Sequence, residues 1–146
     1  MEPATVDLEG ARLLSAVARL NRWATRHAEL PIPPAQARLL SLIDELGPAR
    51  IGELANADHC SQPTMTTQVQ RLEAAGWASR STDSHDARVA LIDLTDEGRA
   101  KLEQLRASRA AALAPEVARL SDQERQALRS ATEIILRIVH PGDDDQ

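Results

Sequence analysis

Apolar residues recur three and four positions apart along most of this chain, and proline and glycine interrupt them at helix-length intervals. That spacing places apolar side chains on one face of an α-helix. Leu13, Val17, Leu20 and Ala24 form such a stripe in a helix expected over 8–28. Leu39, Leu40, Ile43 and Leu46 form another over 34–46. The residue supply agrees, with 25 Ala and 19 Leu against two Trp and no Phe or Tyr among 146 residues. Ala and Leu lose little on entering a helix, whereas all-β folds lean on aromatic and β-branched side chains. The length is that of one domain.

The breaks between stripes set the element order. Pro31, Pro33 and Pro34 divide the first two helices, and Gly47-Pro48 ends the second. A short helix over 50–57, carrying Ile51, Leu54 and Ala55, stops at Asp58-His59-Cys60. Ser61 is a good N-cap for a helix reaching Ala75, with Pro63 in its first turn and Met65, Val69 and Leu72 on its apolar side. Gly76 closes it, and the pattern then changes. Trp77–Arg80 can be extended, Ser81–Asp86 is a polar turn, and Arg88–Leu94 is β-leaning, so the segment reads as a hairpin. Thr95 caps a helix expected over 96–113, which Pro115 should break or kink. Ser121 and Glu124 have capping-box spacing, and the last helix runs to Val139 with Leu128, Ala131, Ile135 and Ile138 on one stripe. Asp143–Asp145 form a charged tail expected to be disordered. The expected fold is therefore mainly α with a small β-hairpin wing, and its centre has the order of a winged helix-turn-helix.

The polar face of the 61–75 helix carries Pro63, Thr67, Gln70 and Ala74, flanked by Thr64, Thr66 and Arg71. In a major groove, Gln can read adenine and Thr can meet base edges or a thymine methyl. The N-terminal part of a recognition helix approaches the bases, which here means Ser61, Gln62, Pro63, Thr64 and Thr67. The helix start also offers N–H groups to a phosphate. The plainer reading is the wet side of a surface helix. Threonine is a mediocre helix former, and three in four residues favours the functional reading. Past the hairpin tip, Asp86 and Arg88 are two apart, so on a strand they share a face, and Asp86 can orient Arg88 toward a narrow minor groove. The alternative is an ordinary surface ion pair, worth little.

Four stretches in order, Ile51-Gly-Glu-Leu-Ala55, Ser61 to Gly76, Asp83-Ser-His-Asp-Ala-Arg88 and Leu94-Thr-Asp-Glu-Gly98, resemble the MarR family of transcriptional regulators. The resemblance covers roughly 8–140 and implies a homodimeric repressor of a palindromic operator in double-stranded DNA, relieved by a small aromatic or lipophilic effector. It implies a helical dimerisation region at about 8–30 and 96–140, a DNA-binding lobe at about 34–94, and an acidic tail at 141–146. Carried over, Gln62, Pro63, Thr64 and Thr67 read bases, with Gln70 on the same face. Ser61, Thr66 and Arg71 touch phosphate. Arg88 is the wing arginine with Asp86 as its support. Two positions depart from the family: Thr67 stands where relatives often carry a base, and Arg50 where they tend to have a Ser or Thr cap, which suggests that Arg50 faces phosphate instead. An effector pocket would draw on Trp23 and His27, which share a helix face at i, i+4; packing of Trp23 in a core is the competing reading.

Other classes are weaker. The four His are scattered and no glycine-rich phosphate loop or nucleophile elbow is present, so no catalysis and no cofactor are expected. Asp58, His59 and Cys60 are adjacent, which is poor spacing for a metal, and none is expected. A single cysteine excludes an intrachain disulfide. Cys60 precedes a helix start and is the sole candidate thiol switch, though its place between two packed helices favours burial. A winged helix serving protein contacts alone is a further alternative. No apolar run has bilayer length and the N-terminus lacks signal-peptide features, so no membrane partner and a cytoplasmic setting are expected. The net charge is −5, and the 50–94 segment alone carries six acidic residues against four basic ones. Any DNA affinity is expected to rest on a few placed arginines, helix N-termini and neutral hydrogen bonds instead of bulk charge.

Overall fold

A computed structural model describes residues 2–142, so the 143–145 acidic tail lies outside the described residues. The chain forms two compact units, Met1–Ala110 and Ala111–Gln146. The first holds α1 (Pro3–His27), α2 (Pro34–Leu46), α3 (Ile51–Ala57), α4 (Gln62–Ala74), β1 (Ala78–Thr82), β2 (Ala90–Leu94) and most of α5 (Asp96–Ala118). The second holds the end of α5 and α6 (Asp122–Val139).

The core of the first unit is aliphatic, as the composition requires. Leu39, Leu40 and Ile43 of α2 meet Leu54 and Ala55 of α3 and Met65, Val69 and Leu72 of α4. Ala78, Ile92 and Leu94 of the hairpin and Leu102 and Leu105 of α5 complete it, with Trp77 only partly buried at its margin. α1 begins at Pro3, five residues before the expected start, because proline suits a first helical turn. Its stripe is real but mostly wet: Ala24 is buried, while Leu13, Val17 and Leu20 are exposed. Arg109 of α5 ties down the end of α1 by donating to Thr25 Oγ1 at 2.8 Å and to Asn21 Oδ1.

α3 and α4 end in the same hydrogen-bond pattern. After α3, Cys60 N–H donates to Ala55 O and His59 N–H to Asn56 O; after α4, Trp77 N–H donates to Leu72 O and Gly76 N–H to Glu73 O. Both are Schellman closures needing one left-handed residue. Gly76 provides it at φ 81°, whereas His59 adopts it at φ 54°. The tight turn of the helix-turn-helix is thus set by a strained histidine, not by a glycine.

β1 and β2 pair antiparallel with Ala78 opposite Leu94 and Thr82 opposite Ala90. β1 runs two residues further than the Trp77–Arg80 segment expected to be extended, and β2 starts two residues later than Arg88. Ala49 exchanges both backbone bonds with Ile92, which pins the segment before α3 to the sheet. Thr95 joins wing to helix: its Oγ1 donates to Gly76 O at 2.6 Å and accepts the Gly98 N–H at 3.0 Å.

α5 runs through Pro115 to Ala118, so the expected end at 113 is wrong. The proline removes the bond that the Ala111 carbonyl would accept. The preceding run, Ala110 to Ala114, contains four Ala and a Leu, the strongest helix formers, and carries the helix across. In the second unit α6 starts with the expected capping box: Ser121 Oγ accepts from Glu124 N, and a Glu124 carboxylate oxygen accepts from Ser121 N. α6 buries no residue, and Leu128, Ile134, Leu136, Ile138 and Val139 are exposed. Among the described residues no helix is long and apolar enough to cross a membrane.

Candidate nucleic-acid interface

α4 rests on α2 and α3 through Met65, Val69 and Leu72, which turns its other side to solvent. Ser61, Gln62, Pro63, Thr64, Thr67, Gln70 and Arg71 are exposed, and Thr66 is half-buried. The first turn is less open to an anion than the sequence suggests. Ser61 Oγ accepts the Thr64 N–H at 3.2 Å, and Pro63 has no N–H, which leaves that of Gln62. The hydroxyls are also engaged. Ser61 donates to Thr64 Oγ1 at 2.9 Å, and Thr67 donates to the Pro63 carbonyl at 3.1 Å. Thr67 therefore keeps only lone pairs and a methyl group. Gln62 leans over α3, where a Cβ built at Gly52 would lie 3.2 Å from its Nε2.

Asp86 and Arg88 do pair, but not for the expected reason. Both lie in the loop between the strands, so strand alternation does not place them together. Asp86 Oδ1 accepts the Arg88 backbone N–H at 3.0 Å and Nε at 3.1 Å, and Oδ2 accepts Nη2 at 3.3 Å. This is an Asx turn that also captures the guanidinium. Arg88 remains 90% exposed while held. Its side-chain and backbone donors hold the Asp86 carboxyl below its ordinary pKa.

Asp83, which sequence reading passed over, builds the other half of the loop. Its N–H donates to Val89 O, and its Oδ1 accepts the His85 N–H at 2.9 Å. Its Oδ2 accepts Arg50 Nη2 at 3.1 Å. The available signal was an aspartate two residues before a backbone donor, repeated at Asp83 and Asp86. Arg50 thus turns to the wing instead of standing free for phosphate. Other lobe cations are paired too: Arg38 with Asp58 and Arg80 with Glu73, each at 2.9 Å. Arg71 has no ion-pair partner among the described residues.

Trp23 and His27 stack with ring centroids 4.2 Å apart, and the His27 ring meets Trp23 O through Nδ1. A separate open cleft of about 360 Å³ in the first unit is lined by Glu29, Leu30, Pro31, Gln104, Leu105 and Ser108, without either ring. Cys60 is half-buried against the core.

Comparison with known proteins agrees with this geometry. The MarR family model matches residues 32–90, from just before α2 to the start of β2. An HTH-type transcriptional regulator of Mycobacterium bovis is 31% identical over 134 residues, covering 88% of this chain and 94% of its own. The transcriptional repressor MdtR of Bacillus subtilis is 27% identical over 79% of this chain and 72% of its own. The structure of a MarR family protein from Bacillus stearothermophilus superposes with a TM-score of 0.71 at 26% identity, covering 96% of this chain and 99% of that one. The helix-turn-helix, the wing with its paired arginine and the near full-length relatives lead to one assignment: this chain belongs to the MarR family of DNA-binding transcriptional regulators.

Proposed function

We propose that the protein binds a palindromic operator as a homodimer and represses from it until a small ligand binds. The observation that carries this reading is that α4 and the wing strands pack on one core while the base-reading residues of α4 and the Arg88 side chain at the tip stay exposed. α4 enters the major groove with Gln62, Pro63, Thr64, Thr67 and Gln70 at the bases and Ser61, Thr66 and Arg71 near phosphates. Arg88, aimed by Asp86, reaches the minor groove. The lobe spans about 34–94, and the exposed apolar faces of α1 and α6 support dimerisation through regions at about 8–30 and 96–140. Two bound lobes then sit on half-sites ~10 base pairs apart, centre to centre. Repression has the support of a relative named as a repressor. The stacked Trp23–His27 pair supports a small aromatic or lipophilic effector there. Operator binding puts the protein in the cytoplasm with its DNA.

A gel shift against the region upstream of its own gene tests the proposal. Arg88→Ala should weaken binding to all sequences and flatten the logarithmic salt dependence by about one unit. Equal binding by variant and wild type across salt concentrations would remove the wing from the interface. The ion pairing of most lobe arginines favours one second reading, a winged helix for protein contacts only. Failure to bind any genomic fragment would select it.

A further inference from the structure

We infer that Arg50 and Asp83 form a positioning clasp that holds the wing in its DNA-reading geometry, an inference that rests on the operator-binding proposal above. The two residues are 33 apart in sequence and meet at 3.1 Å. Asp83 is 11% exposed, whereas the Arg88 side chain it helps to place is 90% exposed. The backbone N–H and both carboxylate oxygens of Asp83 serve the loop. The backbone N–H closes it onto Val89, one carboxylate oxygen fixes His85, and the other grips Arg50. Arg50 is itself fixed. It is the N-cap residue of α3, its own N–H donates to Glu53 Oε1, and the preceding Ala49 exchanges two backbone bonds with Ile92. The clasp therefore couples the start of the helix-turn-helix to the root of the wing loop. Asp86 and Arg88 act only within the tip, and the clasp decides where that tip stands.

The clasp also solves an electrostatic problem. Asp83 and Asp86 place two carboxylates in a loop that must approach phosphates. Arg50 neutralises the first directly and lowers the energy of the second through space. A guanidinium suits this better than an ammonium because its planar fork fixes direction as well as charge.

Two substitutions separate this role from a direct phosphate contact. Asp83→Asn removes a negative charge beside DNA, so bulk electrostatics predicts tighter binding. The clasp predicts the opposite: about tenfold weaker binding, in the range of coupled charged pairs. Arg50→Ala should weaken binding by a similar factor, the double variant no further than either single one, and Arg50→Lys should recover part of the loss. Hydroxyl-radical footprints should lose the outer minor-groove protection, while protection of guanine N7 from dimethyl sulfate in the major groove remains. Without DNA, the His85 and Val89 amides should exchange faster in Arg50→Ala than in wild type. Tighter or unchanged binding by Asp83→Asn, or unchanged exchange in Arg50→Ala, overturns the clasp. Absence of wild-type binding to any fragment would overturn the operator reading instead, while the exchange measurement still decides the clasp.

Discussion

Two glycines show what single residues decide here. A Cβ on Gly98 would lie 2.0 Å from the Trp77 carbonyl oxygen, which accepts the Thr95 N–H. Neither backbone can yield without breaking the joint between wing and α5. Gly98→Ala should cost about 3 kcal/mol, as overpacking against backbone does; a denaturant midpoint within error of wild type would refute the close approach. Gly52 differs, because its neighbour is the free end of Gln62, 3.2 Å from the same construction. Gly52→Ala should leave stability intact or raise it by up to about 1 kcal/mol through helix propensity. It should change base preference by swinging Gln62 aside, which a melt and a panel of operator variants would show. The sequence announced Gly98 through the Leu94-Thr-Asp-Glu-Gly98 pattern, but not its reason. Likewise it exposed the threonines of α4 but not the direction of their protons, since Thr67 donates to Pro63 and Ser61 to Thr64 only once the helix exists.

Among elements, helices with both caps in the sequence were read closely. α2 has the expected bounds, with proline at its start and Gly47 after its end. α1 and α5 depart from their expected bounds where proline does two jobs, starting a helix at Pro3 and being tolerated inside one at Pro115. The wing was legible as a hairpin and the aspartate spacing carried a local signal for its Asx turns, but the clasp from Arg50 was not legible, because it crosses 33 residues. Those turns make the wing sensitive to acid. The His85 N–H and Arg50 hold Asp83 below its ordinary pKa, and Arg88 does the same for Asp86. A carboxylate with a depressed folded pKa stabilises above its unfolded value and loses that contribution as pH falls through the folded one. Amide protection at 85–89 should therefore fade below about pH 4 while the 90–94 strand holds. Exchange measured between pH 7 and pH 3 would show this; simultaneous loss across both segments would count against carboxylate control of the loop. Glu124, held low by the Ser121 N–H, gives the α6 cap the same sensitivity.

For the molecule as a whole, the question is what α1 and α6 do with their unburied faces. Leu13, Val17 and Leu20 on one, and Leu128 and Ile138 on the other, are well exposed. The periodicity of both stripes was plain in the sequence; that one chain leaves them wet was not. In the proposed homodimer they become core, so stability should depend on mass action. The melting temperature should rise by several degrees over a hundredfold increase in protein concentration, measured by calorimetry, and a constant value would argue for a self-sufficient monomer. The paired arginines bear on a different matter, the search for a site. Four of the five arginines between 34 and 94 already face an acid of their own chain. Such a lobe projects little attraction beyond the ~8 Å screening length of physiological salt. Its encounters with DNA are unsteered, and it has little hold with which to slide along non-cognate sequence. Discrimination then falls to residence time: the complex forms at an ordinary collision rate and is selected by how slowly it lets go.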